Sequence, residues 1–359
     1  MSKQSISGAL SACFSNMSFL CACMIVFFHA TPAPDKGSFN WWFFHLFGRE
    51  GICCIAVPYF FACSGFFLAG HVSEPGWWTH EIRKRVRSLV VPFFIWIFIG
   101  LAFGLLVAYA KTTFFHAETT NDFLALPTWE KFVLFVGLHP YRDIGVLWYV
   151  RTLFFFAVAS PIIFAALRWP IFTLSVLTVL HLVLSYLFAE VLDLDMYFLF
   201  DRFLSIRGLL YFAAGAALRI GSYDMDVYRP STCWGLVCFC TGIALLVVKN
   251  FFHLASYCGC GAIIESVAVP FLVIGFWWIV SRCGQLRYAS YSFPIFLMHN
   301  IFLSLVSMLY MVIGVREHLG MQVIIAFSRA GCAIVGSILV AFLMRRITPR
   351  FANVLLGGR

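Results

Sequence analysis

From Ser88 to Ala110 the chain reads SLVVPFFIWIFIGLAFGLLVAYA, without one charged side chain, and directly before it stands Arg83-Lys84-Arg85-Val86-Arg87. As a helix this stretch is about 35 Å long. A bilayer core is crossed by roughly 20 mostly apolar residues. A helix on the surface of a soluble protein would show a polar face, and here no face is polar. The stretch therefore predicts a membrane span with a cluster of cations at its mouth.

The rest of the chain repeats the pattern. Of 359 residues 62% are hydrophobic and only 11% are charged, against about a quarter charged in soluble domains. Apolar runs predict about ten spans, near 11–31, 51–70, 88–110, 146–167, 170–190, 203–219, 232–249, 262–281, 289–313 and 322–344. The sixth must carry Arg207 inside the membrane, because Arg207 and Arg219 bound a short apolar run. Trp41, Trp42, Trp77 and Trp78 fall at predicted interfaces, where amphipathic rings are favoured. The fold class is all-α: one polytopic membrane helix bundle over 1–359, with its longest outer loop at 111–145.

Lys and Arg accumulate in cytoplasmic loops. With the N-terminus in the cytoplasm, Arg83, Lys84, Arg85, Arg87, Arg282, Arg287, Arg345, Arg346 and Arg350 all lie inside, while the outer loops hold fewer cations, Lys249 among them. Both termini are thus expected in the cytoplasm. The formal net charge of +9 is accounted for by topology, and nucleic acid is not an expected partner. The 13 cysteines are scattered through apolar runs, where cysteine acts as a small hydrophobe. Cys258 and Cys260 form a C-x-C that leaves a disulfide or metal open; no dedicated metal site is evident.

Ionisable groups within spans are costly and mark function by default. His29 ends Met24-Ile25-Val26-Phe27-Phe28-His29 toward the outer end of the first span. It is a candidate general base or an interfacial histidine wetted by the outer loop. Arg151, in Leu147-Trp148-Tyr149-Val150-Arg151, and Arg207 either snorkel to the surface or face a polar cavity where they stabilise an oxyanion. His299-Asn300 lies mid-span, too deep to snorkel, and is either helix-to-helix glue or part of a site. The cluster Arg83 to Arg87 serves topology, anionic lipid or a phosphate group. No phosphate-binding glycine loop follows a strand, so a soluble nucleotide fold is excluded.

Taken in order, these segments resemble the bacterial membrane acyltransferase-3 superfamily, which O-acylates envelope sugars. The likeness lies in the first helix ending at His29, Val57-Pro58-Tyr59-Phe60-Phe61-Ala62-Cys63-Ser64-Gly65, the basic cluster running into Pro92, and Leu147 to Arg151 with Ser160-Pro161. It continues in Arg207-Gly208-Leu209-Leu210-Tyr211-Phe212 and Ser290-Tyr291-Ser292-Phe293 leading to His299. The resemblance implies a multi-pass protein of the bacterial inner membrane. Its co-substrate would be cytoplasmic acyl-CoA, usually acetyl-CoA, with no tightly bound cofactor. Its acceptor would be a hydroxyl of an envelope carbohydrate or lipid-linked glycan at the outer face. His29 would be catalytic with Arg151 and His299; Arg83, Arg85 and Arg87 would hold the donor; Arg207, Trp148 and Asn300 would line the acceptor site. Ser18 stands where the family commonly carries Arg or Lys, and the basic motif is irregular. A transporter or flippase of a polar envelope precursor is the competing reading, with Arg151 and Arg207 lining the path.

Overall fold

The computed structural model describes residues 7–32, 38–48, 51–115, 126–136, 145–190, 205–221, 231–252, 254, 259–315 and 321–358. Among them there are helices and turns and no strand. The helices are α1 (Gly8–Ala30), α2 (Phe39–Phe47), α3 (Ala56–Ala69), α4 (Trp77–Arg85), α5 (Val91–Phe115), α6 (Thr128–Phe135), α7 (Trp148–Ala166), α8 (Pro170–Glu190), α9 (Ile206–Ile220), α10 (Thr232–Phe251), α11 (Gly259–Val280), α12 (Ser292–Val312), α13 (Gln322–Ile347) and α14 (Pro349–Leu355). Serines start several of them. Ser7, Ser38, Ser205 and Ser231 each accept a hydrogen bond from the backbone three residues on, satisfying an orphan first-turn donor.

Nine helical segments among the described residues are long and apolar enough to cross a bilayer. They match nine of the expected spans within a few residues at most ends. Two are longer: the second runs from Phe39 to Ala69 and the third from Trp77 to Phe114. The expected sixth span is a helix, α9, but has 15 residues, about 22 Å and short of a full crossing. Its length needs no match to lipid because it is buried in the bundle: Phe212, Ala213 and Ala216 are wholly buried. It touches α3 backbone to backbone. A Cβ on Gly65 would stand 2.0 Å from the Phe212 carbonyl oxygen, and one on Gly215 1.9 Å from that of Ala62. Small residues permit this approach, which is how helices associate where no hydrophobic drive exists.

The outer surface is apolar. Phe98, Leu106, Ile162, Ile171, Phe172, Val335 and Leu339 are all exposed. Such a surface needs lipid as its solvent. Polar side chains inside are spent on joints. Asn16 of α1 donates to the Gly284 carbonyl at 3.0 Å and accepts from the Leu286 amide at 2.9 Å, and Asn40 meets Gln322 at 3.1 Å.

One end of the bundle collects cations, and each of four lies over an aromatic ring: Arg219 on Phe66, Arg282 on Trp278, Arg287 on Tyr288 and Arg345 on Tyr291. Guanidinium over an aromatic face is favourable and leaves the head toward water. We call this the basic end. The segment expected as an outer loop is only partly described. Residues 111–115 continue α5, and Phe135 of α6 packs on Phe94 and Phe98 in the first third of α5.

Candidate active site

At the basic end, α4 passes into α5 through a π turn, Val86–Val90, in which Val91 N–H reaches back five residues to Val86. The sequence cause is Pro92. It has no N–H to offer the Ser88 carbonyl, and its ring crowds the preceding turn; a wider turn relieves both. Ser88's carbonyl instead meets the C-terminal segment. Gly357, with φ +70°, lies so close that a Cβ there would stand 2.5 Å from Ser88 O. Leu355 and Leu356 are buried, and Trp96 Nε1 donates to the Leu355 carbonyl at 3.0 Å. The C-terminus thus braces the turn that carries Arg87. Arg83 and Arg87 are exposed. Arg85 is partly buried, with its Nε 3.5 Å from the carboxylate of Glu81.

Two imidazoles, one exposed and one wholly buried, meet between α1 and α12. His29 lies in the last turn of α1, and its ring centroid is 5.3 Å from that of His299 on α12. The depth follows from two joints. The contact of Asn16 with Gly284 and Leu286 leaves the first turns of α1 protruding beyond the start of α12. Seven residues then separate Ser292 from His299, a rise of about 10 Å. His29 therefore sits opposite the middle of the bundle rather than at its far mouth, deeper than its place at the end of an apolar run suggests.

His299 is wholly buried. Its Nδ1 faces the carbonyl oxygens of Phe296 at 2.7 Å and Ile295 at 3.2 Å. Two acceptors there require Nδ1 to carry the hydrogen, so in the neutral ring Nε2 presents a lone pair. Nε2 has no hydrogen-bond partner among the described residues. A buried polar atom without a partner is rare enough to need a reason, and at a reaction centre the reason is a hydroxyl or proton to be held. Asn300 lies about 100° further round α12 and is half-buried.

The wall beside this pair is aromatic. Phe296 lies 6.2 Å from the His299 ring and 5.5 Å from Tyr149. Tyr149 packs on Phe61, and its hydroxyl is 3.4 Å from Ser64 Oγ. Trp148 is half-buried against Phe61 at 6.2 Å. Arg151 is buried at 7% exposure. It shares a helix face with Trp148, three residues before, and lies about 200° round α7 from Tyr149. One turn before Ser18, the Phe14 carbonyl accepts from the Tyr59 hydroxyl at 3.0 Å, a joint between α1 and α3.

Arg207 is engaged elsewhere. Its Nη2 bonds Glu265 Oε1, and Glu265 Oε2 accepts from Lys249 Nζ at 3.0 Å. Lys249 is wholly buried, which corrects its reading as a loop cation. The triad joins α9, α10 and α11 at the end opposite the basic one. Glu265 carries its own signal in the sequence, a lone carboxylate in an apolar run. Cys260 is exposed, and Cys258 lies outside the described residues. Among the described residues no three His, Cys, Asp or Glu side chains gather as metal ligands.

The fold and these sites define a polytopic membrane protein with polar groups buried inside its bundle. A family model described as an acyltransferase domain, acyltransferase-3, matches residues 15–346. The chain belongs to the acyltransferase-3 family. No curated protein and no solved structure matches it.

Proposed function

We propose that this membrane acyltransferase carries an acyl group, most simply acetyl, from cytoplasmic acyl-CoA to a hydroxyl of an envelope carbohydrate or lipid-linked glycan at the outer face of a bacterial inner membrane. The observation that carries the reading is the His29–His299 pair, with its unpartnered Nε2. The exposed Arg83 and Arg87 at the basic end suit the donor's phosphates, since Arg matches phosphate geometry. In this reading both chain termini lie on the donor's side.

The step runs as follows. His29 takes the proton of the acceptor hydroxyl while His299 Nε2, a hydrogen-bond acceptor, holds a second hydroxyl of the same glycan and so keeps the first in line. The oxygen attacks the thioester carbonyl, and a tetrahedral oxyanion forms. The C–S bond then breaks. The coenzyme A thiolate leaves and takes the proton back from the His29 imidazolium. A positioned base contributes about 10²–10⁴-fold, and one donor to the oxyanion about 3–4 kcal/mol. The mid-bundle depth of His29 sets the donor's path: about 10 Å from the start of α12, rather than the whole membrane. Arg207, which a transport path would need, is bonded to Glu265. Mass spectrometry of envelope glycans from cells with and without the gene tests the reading. A single acetyl increment that depends on the gene supports it; identical glycans oppose it.

A further inference from the structure

Glu81 is among the most buried charged groups of the protein, 1% exposed, yet it stands in the basic cluster. Four groups surround its carboxylate. Lys84 Nζ is 3.5 Å from Oε1, Arg85 Nε 3.5 Å from Oε2, and His71 Nε2 and His80 Nδ1 are each 3.9 Å from Oε1. None of these is the 2.7–2.9 Å of a tight charge-assisted bond. Arg85 Nε and Glu81 Oε2 count no hydrogen bond at all among the described residues. Arg85 is thus held by charge and not by a fork. Were it to leave, Lys84 and the two histidines would still face the carboxylate, so the buried charge would not be stranded.

We propose that Glu81 is an internal counter-anion of the donor mouth. It holds Arg85 while no donor is bound, and the donor's phosphates take Arg85 from it. This rests on the acyl-CoA reading above. In this arrangement Arg83 and Arg87 make the first contact because they are exposed, and Arg85 follows by changing partner within the cluster. Glu81 touches neither substrate nor reacting atoms; it is a positioning residue that sets how strongly a donor must compete to be bound. The carboxylate opposes anions at the mouth, so weak ones gain less from Arg85 than a donor carrying several phosphate charges.

The test is binding of coenzyme A to the purified full chain in detergent, by calorimetry, for wild type, Glu81→Gln, Arg85→Gln and the double variant. Thermal melting and size-exclusion profiles check that each is folded, with Glu81→Asp as a charge-retaining control. Glu81→Gln should tighten coenzyme A about threefold to tenfold, and Arg85→Gln should weaken it. In the Arg85→Gln background, Glu81→Gln should add little, because one acts through the other. A folded Glu81→Gln that binds as wild type does, or more weakly, overturns the counter-anion. So does a tightening of the same size with and without Arg85. A folded wild type that does not bind coenzyme A overturns the donor reading itself, and the counter-anion with it.

Discussion

His29 at the end of α1 and His299 seven residues into α12 face one another at 5.3 Å between ring centroids, the first exposed and the second buried and held by its own helix through Phe296. The difference assigns unlike tasks. His29 is exposed and meets what enters; His299 is fixed in tautomer and direction. His29→Ala should lower turnover by about 10²–10⁴-fold with an unchanged melting temperature. His299→Asn, whose amide can still donate to Phe296, should keep the fold and lose about 10²-fold in kcat. Unimpaired acyl transfer by a folded His299→Asn protein would remove Nε2 from the mechanism.

Arg83 and Arg87 project from the basic end without a carboxylate near them among the described residues, whereas Arg85 has Glu81. Arg83→Gln and Arg87→Gln should each raise KM for acyl-CoA by about threefold to tenfold and leave kcat nearly unchanged. Added salt should shrink the difference, since exposed charges are screened. Steady-state kinetics at two ionic strengths read both effects. A fall in kcat with KM constant would place these side chains outside donor binding.

The triad Arg207–Glu265–Lys249 is a matter of stability. Glu265→Ala would take from the buried Lys249 the carboxylate that accepts from it at 3.0 Å, a loss of about 3–5 kcal/mol. Replacing Lys249 by Met in the same chain should recover much of it, because the buried cation is then gone. Melting curves of the two variants in detergent decide. A Glu265→Ala protein as stable as wild type would show the triad to be energetically idle.

Gly357 combines a positive φ with contact against Ser88. Gly357→Ala should strain the C-terminal brace and loosen the π turn, raising KM for acyl-CoA about as much as loss of one arginine does while the far-end triad is untouched. Gly215→Ala is a different case. The added Cβ would meet α3 backbone at 1.9 Å, and the result should be loss of folded protein, seen as aggregation on size exclusion.

How much of this the sequence shows depends on whether a feature is local. The helix through residues 88–110 is legible because an apolar run is a property of neighbours along the chain. So is the π turn, in principle, from Pro92 beside the arginines. The short α9 is half-legible: Arg207 and Arg219 bound it, but its burial against Gly65 is a contact across the fold. Lys249 reads as a loop charge because it ends an apolar run, and its partner Glu265 lies on the following helix. The pairing of His29 with His299 joins opposite ends of the chain, and no periodicity encodes it. The bond of Arg207 to Glu265 is likewise a contact between helices far apart in the chain, and no local pattern shows it.

The central claim is that His29 and His299 carry acyl transfer from a donor bound at Arg83 and Arg87. It is tested most directly with the purified chain in proteoliposomes, given acetyl-CoA labelled in the acetyl group and an envelope glycan fraction. The account predicts label in ester linkage to the glycan, one free thiol released per ester formed, and neither in folded His29→Ala. Equal ester formation by wild type and His29→Ala, or glycan moved across the bilayer unmodified, would contradict it.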